Sequence, residues 1–143
     1  MTNKKILAVV GATGIQGGGL ARAILDDESG QFALRAITRN PSSKAAVALA
    51  ERGAEVVEAD LDEAATVDRA FEGAYGAFLV TNYWEHFSVE REQGQARNMA
   101  EAAHRAGLAH VIWATLEEAV LRQYGYELPV VLGVQVDLLG SVV

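Results

Sequence analysis

Five short apolar runs recur along the chain: "KILAVV" (5–10), "FALRAITR" (32–39), "AEVVEAD" (54–60), "GAFLVT" (76–81) and "AHVIWAT" (109–115). Between them the spacing is helical. "GLARAILDD" sets Leu20, Ala21, Ile24 and Leu25 on one face, and "SSKAAVALAERG" closes at Gly53. "DEAATVDRAFEG" ends at Gly73, and a longer helical stretch runs from about Ser88 to Ala106 before Gly107. Pro41 forbids a helix directly before it, which keeps the second run extended. Four of the five runs are continuously apolar rather than strictly alternating, as strands buried on both faces of a parallel sheet must be. The alternation of strand and helix implies a doubly wound parallel α/β sheet of five or six strands, helices on both faces. After residue 116 the pattern weakens: "EEAVLRQYG" reads as one short helix and "LPVVLGVQV" as a sixth strand. No repeat, low-complexity segment or linker interrupts the chain, so one domain is expected over 1–143.

Composition narrows the function classes. Half of the 143 residues are apolar, and a chain of this length buries roughly 68–70% of its unfolded surface, enough for a sizeable core. There is no cysteine, which excludes disulfides and thiolate metal sites. The apolar run of five after Lys4 and Lys5 is short for a signal-peptide core and leads into glycines. The most apolar stretch, "LPVVLGVQVDLLGSVV", carries Asp137 and does not make a membrane span. A cytoplasmic location without membrane attachment is the expectation. A net charge of −7 argues against nucleic acid, which calls for a basic face.

The glycines of "VVGATGIQGGG" (9–19) sit between the first strand and the first helix. A tight turn there aims backbone N–H groups at whatever lies over the helix N-terminus, where the helix dipole favours a pyrophosphate. Gly11 permits the sharp exit from the strand, Gly14 lets the backbone approach phosphates, and Gly17 lets the helix pack close to the sheet. The spacing is G-x-x-G-x-x-G, not the usual G-x-G-x-x-G, and a glycine-rich turn that holds nothing would look the same. The surrounding βα alternation favours a dinucleotide.

An NAD-selective site usually has an acid about 20 residues past the glycines, for the ribose 2′-hydroxyl. No acid stands between Gln31 and Lys44. Arg39 lies 22 residues after Gly17, where a guanidinium can clamp a 2′-phosphate, and Lys44 follows one helical turn on. Ordinary exposed cations would read alike, but the missing acid favours NADP(H).

The stretches "VVGATGIQGGGLARAIL", "AITRNPSSKAA", "GAEVVEADLDE", "GAYGAFLVTNYWE" and "HVIWATLE" together resemble the NmrA-like family, atypical relatives of the short-chain dehydrogenases. The likeness runs from about residue 4 to 118, leaving 119–143 as an atypical tail. It implies a Rossmann-type fold that binds NADP(H), in proteins several of which are redox sensors or transcriptional co-regulators. Carried over residue by residue, Gly11, Thr13, Gly14, Ile15, Gln16 and Gly17 would form the phosphate loop, with Arg39 and Lys44 on the 2′-phosphate. Asp60 and Leu61 would border the adenine, and Thr81, Asn82 and Tyr83 the ribose and nicotinamide side. Glu92 stands in or near a place where the family carries a lysine, and no lysine follows Lys44, so a shortened substrate side is expected.

The catalytic inventory is empty. Four residues on from Tyr75, Tyr83, Tyr124 and Tyr126 stand Leu79, Phe87, Leu128 and Val130, so the Tyr-x-x-x-Lys pair of carbonyl reduction is missing. His86, His104 and His110 are scattered, there is no G-x-S-x-G, and no metal site is expected. Asp60, Asp62 and Glu63 read as a strand exit and first-turn acids of a helix. The expected function is a non-catalytic NADP(H)-binding sensor that passes cofactor state to a protein partner or a second copy. The alternatives are an NAD(P)H-dependent quinone or carbonyl reductase, and a truncated fragment without activity of its own.

Overall fold

The computed structural model describes residues 4–81, 87–114, 134–137 and 141–142. Within them the strands are β1 (Lys5–Val10), β2 (Phe32–Thr38), β3 (Glu55–Glu58), β4 (Gly76–Val80), β5 (His110–Ala114), β6 (Val134–Asp137) and β7 (Ser141–Val142). The helices are α1 (Ile15–Asp26), α2 (Lys44–Glu51), α3 (Ala64–Phe71) and α4 (Val89–Ala106). They build one sheet in the order β3-β2-β1-β4-β5-β6-β7. The first five strands are parallel, as in a Rossmann-type sheet.

Two strands extend the sheet beyond this parallel set. β6 pairs antiparallel with β5, and β7 antiparallel with β6. The sixth strand expected within "LPVVLGVQV" is thus present at its end, with the opposite sense. A strand of either sense shows the same apolar run, and direction follows from the connection, not the composition. The helix expected in "EEAVLRQYG" lies outside the described residues, as do Asn82 and Tyr83.

Both faces of the parallel sheet are covered, because successive side chains of each strand point to opposite sides. Val9, Leu34 and Ala36 meet α1 and α2 through Ala21 and Leu49. Ala8, Val10, Ile37, Ala77, Leu79 and Val111 face α3 and α4. There Phe71 and Met99 are fully buried, and each such side chain contributes about 2–3 kcal/mol. Helix boundaries follow the sequence closely: Ser88 caps α4 by accepting from the Arg91 amide at 3.2 Å, and the helix stops at Gly107.

Arg35 is the exception in this apolar sheet. It stands mid-strand in β2, only 8% exposed. Its Nη1 donates to the Ala70 carbonyl at 3.0 Å and the Glu72 carbonyl at 2.6 Å, while Nε meets Glu55 Oε2 at 2.8 Å. The guanidinium therefore closes the C-terminus of α3, where backbone carbonyls lack helical partners and the dipole favours a cation.

Candidate functional site

The chain runs β1, β2, β3 outward on one side, then returns through α3 to lay β4 on the other side of β1. Ligands of open α/β sheets bind outside the carboxyl ends of the strands at such a reversal. A cleft of about 1020 Å³ opens there, at the upper end of the range for small-molecule sites.

Its first wall is the turn after β1. Gly11 takes φ +65°, and the Gly14 amide donates to the Gly11 carbonyl at 2.9 Å, closing the turn. Gly14 is the N-cap of α1 but offers no side chain to its free N–H groups, and no acid stands in the first turn. The caps of α2 and α4, by contrast, are the hydroxyls of Ser43 and Ser88. The first-turn N–H groups of α1 have no helical acceptor, and Gly14, Ile15 and Gln16 line the cleft. That end of α1 is a positive, donor-rich wall. Gly17 sets its position: a Cβ there would lie 2.3 Å from the Gly11 carbonyl oxygen and 2.9 Å from that of Val10.

The second wall is the turn after β2. Thr38 Oγ1 accepts from the Asn40 amide at 3.1 Å, Asn40 Oδ1 from the Ser42 amide at 3.2 Å, and Ser43 Oγ from the Ala46 amide at 3.2 Å. These bonds hold Arg39, Asn40 and Ser43 along the cleft.

The third wall is the exit of β3, pinned from both sides. Thr66 Oγ1 donates to the Asp60 carbonyl at 2.8 Å, and Asp60 Oδ1 accepts from the Asp62 amide at 2.9 Å. From α4, Asn98 donates to the Leu61 carbonyl at 2.8 Å, Gln95 to Asp62 Oδ1 at 3.1 Å, and Arg91 to Asp62 Oδ2 at 2.9 and 2.5 Å. Positions 91, 95 and 98 follow i, i+4, i+7 and so share one helix face. The acids expected in the first turn of α3 precede it instead: Glu63 is the N-cap residue and Asp62 turns toward α4. At the end of β4, Thr81 lines the cleft and its hydroxyl donates to Glu92 Oε1 in the first turn of α4.

Residues 3–132 match the NmrA-like family. The chain belongs to that family. Among NmrA-like relatives, the oxidoreductase FrzB of Cladobotryum sp. is 40% identical over 114 residues, which are 77% of this chain and 33% of FrzB. The transcriptional regulator NmrA, solved in complex with NADP, superposes with a TM-score of 0.69 at 27% identity over 84% of this chain and 36% of its own. Triphenylmethane reductase of Citrobacter sp., complexed with NADP(H), gives 0.66 at 29% identity over 80% and 38%. This chain thus spans about one third of the length of these relatives.

Within this NmrA-like fold, Gly11, Thr13, Gly14, Ile15, Gln16, Gly17, Arg39, Asp60, Leu61 and Thr81 all line the one cleft. Lys44 does not. It is the first residue of α2 and exposed, and the preceding Ser43 and Asn40 occupy the wall in its place. Gln95 went unnoticed in the sequence. Its signal was there: it lies on the buried stripe of α4 with Met99 and Ala102, a lone amide on an apolar face. Among the described residues, no helix is long and apolar enough to cross a membrane.

Proposed function

We propose that this cleft binds NADP(H) and that the chain reports cofactor state rather than turning the cofactor over. The observation that carries the reading is the end of α1, acid-free and without a side-chain cap, opening beside Arg39 in one cleft. The first-turn amides and the turn at Gly11–Gly14 suit a pyrophosphate. Arg39, with Asn40 and Ser43, suits a 2′-phosphate: a guanidinium beside two neutral donors on one wall, in a stretch of sequence without an acid between Gln31 and Lys44. Asp60 and Leu61 border the adenine in this reading, and Thr81 with Asn82 and Tyr83 the nicotinamide side. The reduced cofactor would carry a transferable hydride; the chain's sequence offers no Tyr-x-x-x-Lys pair to manage the accompanying proton.

A second reading, an NADPH-dependent reductase, draws support from the description of FrzB as an oxidoreductase and from triphenylmethane reductase. The two separate in one assay. The sensor binds NADPH, seen as quenching of Trp84 and Trp113 fluorescence, with negligible oxidation in the presence of a simple quinone. Sustained quinone-dependent oxidation would establish the reductase instead.

Arg39→Ala tests the 2′-phosphate contact. A charge-assisted hydrogen bond contributes about 1.5–3 kcal/mol, so NADPH affinity should fall about 10- to 100-fold while NADH affinity changes little. Equal loss for both cofactors, or none for either, would remove Arg39 from that role.

A further inference from the structure

Gln95 is the one buried neutral polar side chain among the described residues, 8% exposed, and it lines the cleft beside Leu61. Its amide has two different ends, and the surroundings decide which end faces where. Asp62 presents a carboxylate oxygen 3.1 Å from Gln95 Nε2, and a carboxylate accepts only. The amide nitrogen must therefore point to Asp62. Asp62 is itself held by two bonds from Arg91, which prevents it from following a rotated Gln95. The carbonyl oxygen of Gln95 is left at the other end of the planar amide, directed away from Asp62, and among the described residues it takes no hydrogen bond. That oxygen is not sealed inside the protein, because among the described residues only Glu92 Oε2 is a fully buried side-chain atom without a partner. The opening that Gln95 lines is the cleft.

The geometry points to Gln95 as the residue that selects the base of the bound dinucleotide. It presents a fixed acceptor to an exocyclic amine, so it takes adenine and rejects hypoxanthine, whose 6-oxo group would meet carbonyl with carbonyl. Asp62 and Arg91 act through it as positioning residues. This rests on the NADP(H) reading above and adds to it what the base-binding end of the cleft demands.

The test compares NADPH with its reduced hypoxanthine analogue, by equilibrium titration of the full chain. Wild type should bind NADPH about 10-fold tighter, the ratio that one net hydrogen bond gives. Gln95→Met keeps the length and removes the acceptor, and should bring the ratio to about 1 by weakening NADPH alone. Asp62→Asn leaves Gln95 in place but supplies a partner that both donates and accepts. The amide can then turn, and the ratio should fall in that variant too. A merely structural Gln95 would instead weaken both ligands equally.

A wild-type ratio near 1, or an undiminished ratio in Gln95→Met, overturns the assignment while the dinucleotide site stands. Failure of wild type to bind either ligand overturns the dinucleotide reading itself. If Gln95→Met does not fold, as judged by circular dichroism, Asp62→Asn decides alone: an undiminished ratio there overturns the orientation mechanism.

Discussion

Gly17→Ala should destabilise the chain by about 3 kcal/mol, at the upper end for overpacking a tight site, and should abolish quenching by NADPH. The added methyl would stand 2.3 Å from the Gly11 carbonyl oxygen and 2.7 Å from its carbon. Both are backbone atoms, so no side chain can swing aside, and α1 must move away from β1. That movement carries Ile15 and Gln16 off the cleft wall, which joins the loss of stability to the loss of binding. Urea unfolding with thermal melts is the measurement, and a fall in Tm of roughly 10 °C is expected for a chain of this size. Gly19→Ala is the control. A Cβ there meets nothing within 4 Å, and removing a helical glycine should stabilise by about 0.5–1 kcal/mol. If both variants behave alike, the close approach at Gly17 is not what holds α1.

Arg35→Met should cost about 3 kcal/mol, a sum of carbonyls left without a donor. Methionine replaces the aliphatic stem, so packing is nearly kept and no unpaired charge is buried. What disappears is the donor set to the Ala70 and Glu72 carbonyls at the end of α3. The ion pair contributes less: the Glu55 side chain is 56% exposed, and such pairs typically contribute under about 1 kcal/mol. Glu55→Gln should therefore shift the urea midpoint little while Arg35→Met shifts it strongly. The opposite ranking would make the ion pair, not the helix end, the reason for a buried arginine in β2.

These two residues mark how far the sequence could be read. Gly17 was legible, because the need for a glycine in a strand-to-helix turn is local and shows in three residues' spacing. The five parallel strands were legible for a related reason: burial on both faces turns four of them into apolar runs, and the helical patterns between them mark out the fifth. Arg35 was not. Its partners lie 35 and 37 residues away, and within "FALRAITR" it looks like any polar position of an alternating strand. The substitution of Ser43 for Lys44 at the cleft is a matter of one position, yet around a helix start one position turns a side chain by about 100°, from wall to solvent. The sense of β6 was hidden because hydrophobicity has no direction. Gln95 was hidden because a polar residue on a buried stripe gains meaning only once Asp62 is seen beside it.

The middle place of β1 has a consequence for how the chain is made. β1 is synthesised first, yet its neighbours are β2 and, after 65 intervening residues (11–75), β4. At about 5–20 residues per second, translation leaves roughly 3–13 s in which one edge of β1 has no partner. An unpaired apolar strand edge is a template for pairing with another chain. Nascent chains arrested with β4 unfinished should accordingly be captured by chaperones or aggregate, and chains extended through β5, in which β4 is paired on both sides and α4 covers the sheet, should be captured less. The strand that organises the cleft in the finished protein is, during synthesis, its most exposed liability.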